Sequence, residues 1–440
     1  MSSWDLDKDS SDGWYKNLLQ SPRNALFCNA AFPNYPNNTR QQFHSSTQPH
    51  RVSNMSSTSP KSTGNRFLSF EKNPPRIWLT ALSPHAPEKA LLSWQDEGFD
   101  VRYLPYDSAD QADFIRTIKN LHVDLKLGEH YAIVAYGEAA SMVLKAAFKP
   151  MVKCCAIVAY YPPLLPSPNF KYPDSLQLQM HLAGLKQDDY PHPDLCKWKF
   201  YRYDDCTTGF ADPSSRTYSD VEANLAWSRA LACVRKGFNE DVDLEPVVRS
   251  FWEAKYEDDL PERGSMSVVK NMTQNSPHVT ILPTLEGGVG RKNLQEFYRE
   301  FFIPSLVEDF KIRLVSRTIG VDRVVDEMVV SFTHSDEIDW ILPGVPPTDK
   351  YVEIPVVSIV AIKGGKLVSE HMYYDAASVL MQVGLLDPKN VPKNFRNQGL
   401  KRLPVTGVEA AKQLVEPRQE RYNGLLQEHG LMDGLNGSNK

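Results

Sequence analysis

The chain has 440 residues, with 41% hydrophobic and 23% charged side chains, a formal net charge of −5 and a pI near 6.1. That length suits two domains with appendages, and the composition is that of a globular protein. A mildly acidic balance without a basic, aromatic-studded stripe excludes nucleic acid as an expected partner. The longest apolar run, Cys154–Pro166, is interrupted by prolines and is too short to span a bilayer, so no membrane partner is expected either.

Residues 1–70 are rich in Ser, Asn, Gln and Pro and show no hydrophobic period, which predicts a disordered tail. No acidic residue occurs between Gly13 and Phe70, as in organelle transit peptides, but Asp5, Asp7, Asp9 and Asp12 at the start argue against one. Six cysteines without any C-x-x-C pair suggest neither a disulfide framework nor a zinc site. They fit a reducing compartment and a cytoplasmic location.

From Arg76 onward strands and helices alternate. Ile77–Leu82, Phe99–Leu104, Tyr131–Tyr136, Cys155–Tyr160, Leu176–Ala183 and Lys199–Tyr203 read as strands; Glu88–Glu97, Ala112–Leu121 and Val221–Lys236 read as helices. Such alternation predicts a parallel sheet covered on both faces, over residues 71–240. Within it, the β-branched run ending at Tyr136 meets a small-residue turn, Gly137-Glu138-Ala139, and then a helical stretch, Ser141–Phe148. This is the form of a nucleophile elbow, small-x-nucleophile-x-small over Ala135-Tyr136-Gly137-Glu138-Ala139, in which a strained turn carries Ser or Cys. Here the central position is Gly137, which has no side chain with which to attack a substrate.

After residue 245 the pattern changes. Helices Val247–Tyr256, Met266–Met272 and Leu294–Phe301 precede long strands at Lys311–Thr318, Arg323–His334, Val352–Lys363 and Lys366–Tyr374. Helices followed by consecutive strands predict an α+β domain over 245–392, with a C-terminal extension over 393–440. Gly364-Gly365 predicts a two-residue hairpin turn.

The first domain resembles the dienelactone hydrolase family, through the elbow and through Gly209-Phe210-Ala211-Asp212-Pro213, Tyr218 and Leu225-Ala226-Trp227-Ser228-Arg229. The resemblance places a catalytic His where Thr208 stands and an acid at Asp188 or Asp189. Its triad is therefore degenerate at Gly137 and Thr208, neither Glu138 nor Ser141 occupies the attacking position, and the domain is expected to be inactive and structural.

The second domain resembles SnoaL-like polyketide cyclases, whose cone is like that of ketosteroid isomerase. The carrying residues are Thr284-Leu285-Glu286-Gly287-Gly288, Phe301-Phe302-Ile303-Pro304, Val325-Asp326-Glu327, Phe332-Thr333-His334, Ile338-Asp339-Trp340 and Glu370–Asp375. The fold class implied is an α/β hydrolase-like parallel sheet followed by an α+β cone, a tandem seen in fungal proteins of secondary metabolism.

Strict alternation places Leu367, Ser369, His371, Tyr373 and Asp375 on one face, with Glu370, Met372 and Tyr374 on the other. If the first face lines the cone, Asp375, His371, Tyr373 and His334 form the expected catalytic set, with Asp339 and Trp340 binding substrate at the mouth. By resemblance Asp375 is the acid/base. His278 is as readily a loop contact.

The function expected is a cofactor-independent cyclase or isomerase of a hydrophobic polyketide or terpenoid intermediate, by aldol, isomerising or pericyclic (Diels–Alder-type) chemistry. Ester, lactone or epoxide hydrolysis and non-catalytic ligand binding are the alternatives. No metal or cofactor is expected. The resemblance also implies a homodimer formed through the outer face of the cone.

Overall fold

The computed structural model describes residues 73–186, 190–257 and 260–418. The expected tail (residues 1–70), Asp188 and Asp189, and the chain beyond 418 lie outside the described residues.

Six strands form a wholly parallel sheet: β1 (Arg76–Ala81), β2 (Asp100–Pro105), β3 (Tyr131–Tyr136), β4 (Cys154–Tyr160), β5 (Gln177–Leu182) and β6 (Lys199–Arg202). Their order is β2-β1-β3-β4-β5-β6. β3 and β4, reading YAIVAY and CCAIVAY, are buried almost throughout because helices cover both faces. Tyr131, Ile133 and Ala135 pack with α2 (Gln111–Lys119) and α3 (Gly137–Ala146). Ala132 and Val134 pack on the other side with α1 (Glu88–Asp96) and α4 (Asp220–Phe238). α3 begins at Gly137, four residues earlier than the sequence suggests, because a positive φ of 58° lets the chain turn straight from strand into helix. The chain passes from β1 to β2 on one side and returns to β3 on the other. The connections therefore part at the carboxyl ends of β1 and β3, where open α/β sheets leave a crevice.

The second sheet has the order β8-β7-β12-β11-β10-β9. Its strands are β7 (His278–Ile281), β8 (Glu286–Val289), β9 (Lys311–Ile319), β10 (Arg323–Thr333), β11 (Tyr351–Lys363) and β12 (Lys366–Tyr374). β7 and β12 pair in parallel; the other pairings are antiparallel. Along β11 the even-numbered residues Val352 to Ile362 face inward. They meet Val248 and Phe251 of α5 (Glu245–Tyr256), Val268 and Val269 of α6 (Pro261–Lys270), and Leu294 and Phe297 of α7 (Arg291–Phe297), which runs into a π-helical turn at Tyr298–Phe302. The short strand β8 and the helices α8 (Ala376–Gln382), α9 (Lys393–Asn397) and α10 (Glu409–Val415) add to the elements expected from sequence.

Both sheets belong to one compact unit. The predicted Gly364-Gly365 hairpin joins β11 to β12, and both residues have positive φ. Its tip lies against the end of α1: a Cβ at Gly364 would stand 2.7 Å from Asp96 O, so glycine is needed twice over there. α4 lies where the sheets meet. Its Arg235 donates to Glu97 Oε2 and to Val321 O, both at 2.6 Å, and its Ser228 bonds Asp322.

Candidate active site

The strand β12 does not carry its residues as strict alternation predicts. Pairing with β11 slips between Ala361 and Ile362, which oppose Ser369 and Leu367, so Val368 is an extra, bulged residue. One inserted residue exchanges the faces beyond it. Leu367 therefore shares the interior with Glu370, Met372 and Tyr374, while His371 is half-buried, and Tyr373 and Asp375 are exposed. This corrects the expectation that His371, Tyr373 and Asp375 line the interior and that Glu370 and Tyr374 point outward. Asp375 caps α8, accepting from Ala377 N at 3.0 Å. The ring of His371 lies 5.4 Å from that of His278, whose pKa is held below the ordinary value by burial and then by His371, against the pull of Asp220.

The other expected site residues also have structural positions. His334 is fully buried rather than at a mouth; its Nδ1 meets Thr348 Oγ1 at 3.0 Å, and burial lowers its pKa. Trp340 is buried against Phe302, and Asp339 accepts from Gly344 N.

The interior of this second layer is filled by an ion pair that sequence reasoning missed. Lys255 Nζ donates to Glu370 Oε1 and Oε2 at 2.9 and 2.8 Å, and Ser358 Oγ donates to Oε1 at 3.0 Å. Both charged side chains are 1% exposed, and the ammonium lies 4.8 to 5.6 Å from the ring centres of Phe302, Tyr256 and Phe251. Burial pushes the Lys255 pKa down, against the opposing pull of Glu370. Arg317 holds the fully buried Asp326 in the same way, at 2.7 and 3.0 Å. Three buried polar atoms of this half of the molecule have no hydrogen-bond partner among the described residues: Trp252 Nε1, Trp340 Nε1 and His334 Nε2.

A cavity of about 670 Å³ lies elsewhere, in the crevice at the carboxyl end of the parallel sheet. Its walls come from four connections: Leu82 to Pro87 after β1, Tyr136 to Glu138 at the elbow, Tyr161 to Pro163 after β4, and Thr208 to Ser214 before α4. Ala183, Gly184 and Leu185 after β5 complete it. The volume suits a small organic molecule, and the lining is mostly apolar with a few polar groups. α3 has no side-chain cap, and its first turn, with the positive end of the helix dipole, meets the cavity at Gly137 and Glu138. A Cβ at Gly137 would meet nothing within 4 Å: the space that a nucleophile would occupy is present and empty of protein.

Of the degenerate triad positions, Gly137 and Thr208 both line this cavity, whereas Asp188 is outside the described residues. Ser141 is no substitute nucleophile, because its Oγ donates to Leu164 O and accepts from Leu164 N, both at 3.0 Å. Glu138 is exposed at the start of α3 and faces the cavity. Asp212 accepts from Ser214 N at 2.9 Å and Ser214 Oγ at 2.7 Å, both through Oδ1.

The cavity wall is strained and aromatic. Tyr161 has φ 40°, a conformation that costs a bulky residue on the order of 1–3 kcal/mol, and is held there by its N–H donating to His181 O at 2.7 Å. Tyr136 begins a ladder of direct cross-strand neighbours. It stacks on Tyr160 at 4.9 Å, Tyr160 stacks on His181 at 4.6 Å, and His181 lies 5.9 Å from Tyr201. Burial pushes the Tyr136 and Tyr161 pKa values far up, and Asp212 adds to both shifts, which keeps the phenols neutral.

Among the described residues no group of three or more His, Cys, Asp or Glu side chains is placed to hold a metal ion, and no helix is long and apolar enough to cross a membrane.

No protein-family model matches the chain, and no curated protein matches it. Among solved structures it is similar to a protein of Jannaschia sp. CCS1 assigned as a SnoaL-like polyketide cyclase, with 16% identity over 34% of this chain and 99% of that one, at a TM-score of 0.28. It is similar also to TsrD from Streptomyces laurentii, with 18% identity over 33% of this chain and 100% of that one, at 0.27. A third is a protein of ketosteroid isomerase-like fold from Catenulispora acidiphila DSM 44928, with 18% identity over 32% and 93%, at 0.25. The share of this chain covered is about a third in each case, and at these TM-scores none of the likenesses bears on activity.

Proposed function

We propose that the chain is an isomerase or cyclase that enolises a carbonyl-bearing, largely apolar small molecule, of the natural-product kind, in the crevice of the parallel sheet. The observation that carries this reading is an open cavity at a helix start that no side chain caps, with Gly137 at the turn and Thr208 on another wall. We read the sheet as a hydrolase-like frame, of dienelactone hydrolase type, in which acyl transfer has been lost. Backbone donors aimed at a developing oxyanion still stabilise it, each by a factor of about 10² to 10³.

In this mechanism the substrate carbonyl oxygen accepts from the N–H groups at the start of α3. Glu138, in the first turn of that helix, takes a proton from the carbon beside the carbonyl, and the C–H electron pair moves into an enolate. Returning the proton at another carbon of the conjugated system isomerises the double bond. Attack of the enolate carbon on a second carbonyl of the same molecule closes a ring instead, with the proton passing to the new alkoxide.

The test is hydrogen–deuterium exchange in D2O, followed by NMR, on 2-tetralone and 2-acetylcyclohexanone with the purified full chain. Exchange above the buffer rate is expected, falling about 10²- to 10⁴-fold in Glu138→Gln. Absence of exchange for both ketones, or stoichiometric labelling of the wild-type chain by a fluorophosphonate, would overturn the reading.

A second reading keeps the chemistry in the second layer, favoured by the buried Lys255–Glu370 pair and by the unpartnered buried nitrogens of Trp252, Trp340 and His334. A polar ligand admitted there would satisfy those atoms. The two readings part in Lys255→Met. The variant abolishes exchange if the second layer is the site, and is less stable yet still catalyses exchange if the elbow crevice is.

A further inference from the structure

Charge is distributed unevenly around the elbow cavity. Its twenty lining residues include two carboxylates, Glu138 and Asp212, one exposed imidazole, His85, and no Lys or Arg. A molecule bearing a phosphate, a coenzyme A tail or several carboxylates would find no cationic side chain to receive it there. Asp212 instead shares the cavity wall with Tyr136 and Tyr161, whose rings stand 6.0 Å apart, tilted by 46°. Tyr161 is 8% exposed. Both hydrogen bonds that Asp212 accepts fall on Oδ1. Two neutral aromatic faces beside a carboxylate form a corner that attracts a cation both through the ring quadrupoles and by direct charge.

We infer that the molecule bound in this cavity carries a protonated or quaternary amine, seated against Asp212 and the rings of Tyr136 and Tyr161, while its carbonyl oxygen meets the start of α3. The inference rests on the enolising reading above and narrows its substrate to amine-bearing carbonyl compounds. Two carboxylates and no Lys or Arg disfavour carboxylates and phosphorylated molecules at this corner. The strained backbone at Tyr161 has a consequence here too: it holds one wall of the amine corner in place before ligand arrives.

Three probes share one acetyl group and differ at the para position: 4-acetyl-N,N,N-trimethylanilinium, its uncharged shape-mate 4′-tert-butylacetophenone, and 4-acetylbenzoate. Their affinities for the full chain are measured by ligand-observed NMR titration. The ammonium probe is expected to bind about tenfold more tightly than the tert-butyl ketone, and 4-acetylbenzoate more weakly than either. The preference for ammonium should collapse in Asp212→Asn and fall in Tyr136→Leu, two variants that remove the charge and one ring separately. Equal affinity of the ammonium and neutral probes, or tightest binding of 4-acetylbenzoate, overturns the amine inference while leaving the ketone site standing. Failure of all three probes to bind, or binding that persists when Thr208→Trp obstructs the cavity, overturns the site and the enolising reading together.

Discussion

His181 is fully buried between Tyr160 and Tyr201, and both its ring nitrogens are engaged. Gln179 Nε2 stands 2.9 Å from its Nε2, so the proton belongs on Nδ1, which donates to Tyr203 Oη at 2.8 Å; Arg229 Nη1 donates to the same oxygen at 3.1 Å. Burial, and then the charges of Arg229 and Lys199, push its pKa down to about 3. Between that value and the ordinary pKa of about 6.5, the unfolded chain binds a proton that the folded chain does not. Stability contributed by neutral His181 is therefore complete above pH 6.5 and is lost as the pH falls, at up to ~1.4 kcal/mol per unit. In His181→Gln the acid branch of urea-denaturation midpoints between pH 6.5 and 4 should be flatter; an unchanged slope would show that other groups set it.

Residue-level chemistry was legible where it depends on the local chain. The missing nucleophile at Gly137 and the paired glycines at Gly364-Gly365 could be read directly, because a turn of given type restricts its own residues. The faces of β12 could not, since the bulge at Val368 is defined only by pairing with β11. Lys255 and Glu370 are 115 positions apart, and nothing local to either marks them as partners.

At the scale of elements, α4 joins the two sheets. One side of it packs on the parallel sheet through Ala226, Ala230 and Val234. Another side carries Arg235, whose guanidinium meets Glu97 and Val321 O, and Trp227, whose ring lies 5.3 Å from Lys363 Nζ. Glu97 also accepts from Gly364 N, so the hairpin of the second sheet closes on the same carboxylate. Burial raises the Glu97 pKa, against the lowering effect of Arg235. Removing one partner leaves a buried charge unpaired, so Arg235→Ala should cost about 3–5 kcal/mol in chemical denaturation, and Arg235→Met with Glu97→Leu should recover most of it. A loss below about 1 kcal/mol would mean that the pair is solvated in solution.

The elements themselves were legible from hydrophobic period. β3 and β12 have the limits read from sequence, and the other strands and the longer helices differ by a few residues at their ends. β8 was missed because Glu286-Gly287-Gly288-Val289 has the composition of a turn, and it becomes a strand only by pairing with β7.

At the scale of the molecule, the two layers divide the labour in a way that their sequences did not reveal. Motif likeness drew attention to polar residues of the second layer, yet its interior is closed by Lys255–Glu370 and Arg317–Asp326. The first layer, with glycine at the turn after β3, holds the open cavity. No single segment encodes that cavity: its walls come from loops that follow β1, β3, β4, β5 and β6, and only the strand order brings them together.

The central claim is that the elbow crevice remains a working carbonyl-binding corner from which the attacking group has been removed. Restoring two groups tests it most directly: the double variant Gly137→Ser, Thr208→His, treated with a fluorophosphonate and examined by intact-mass and peptide mass spectrometry. The account predicts stoichiometric phosphonylation at position 137 in the double variant, and none in the wild-type chain. A folded double variant that stays unlabelled would contradict it, because the cavity would then fail to present an oxyanion site to position 137.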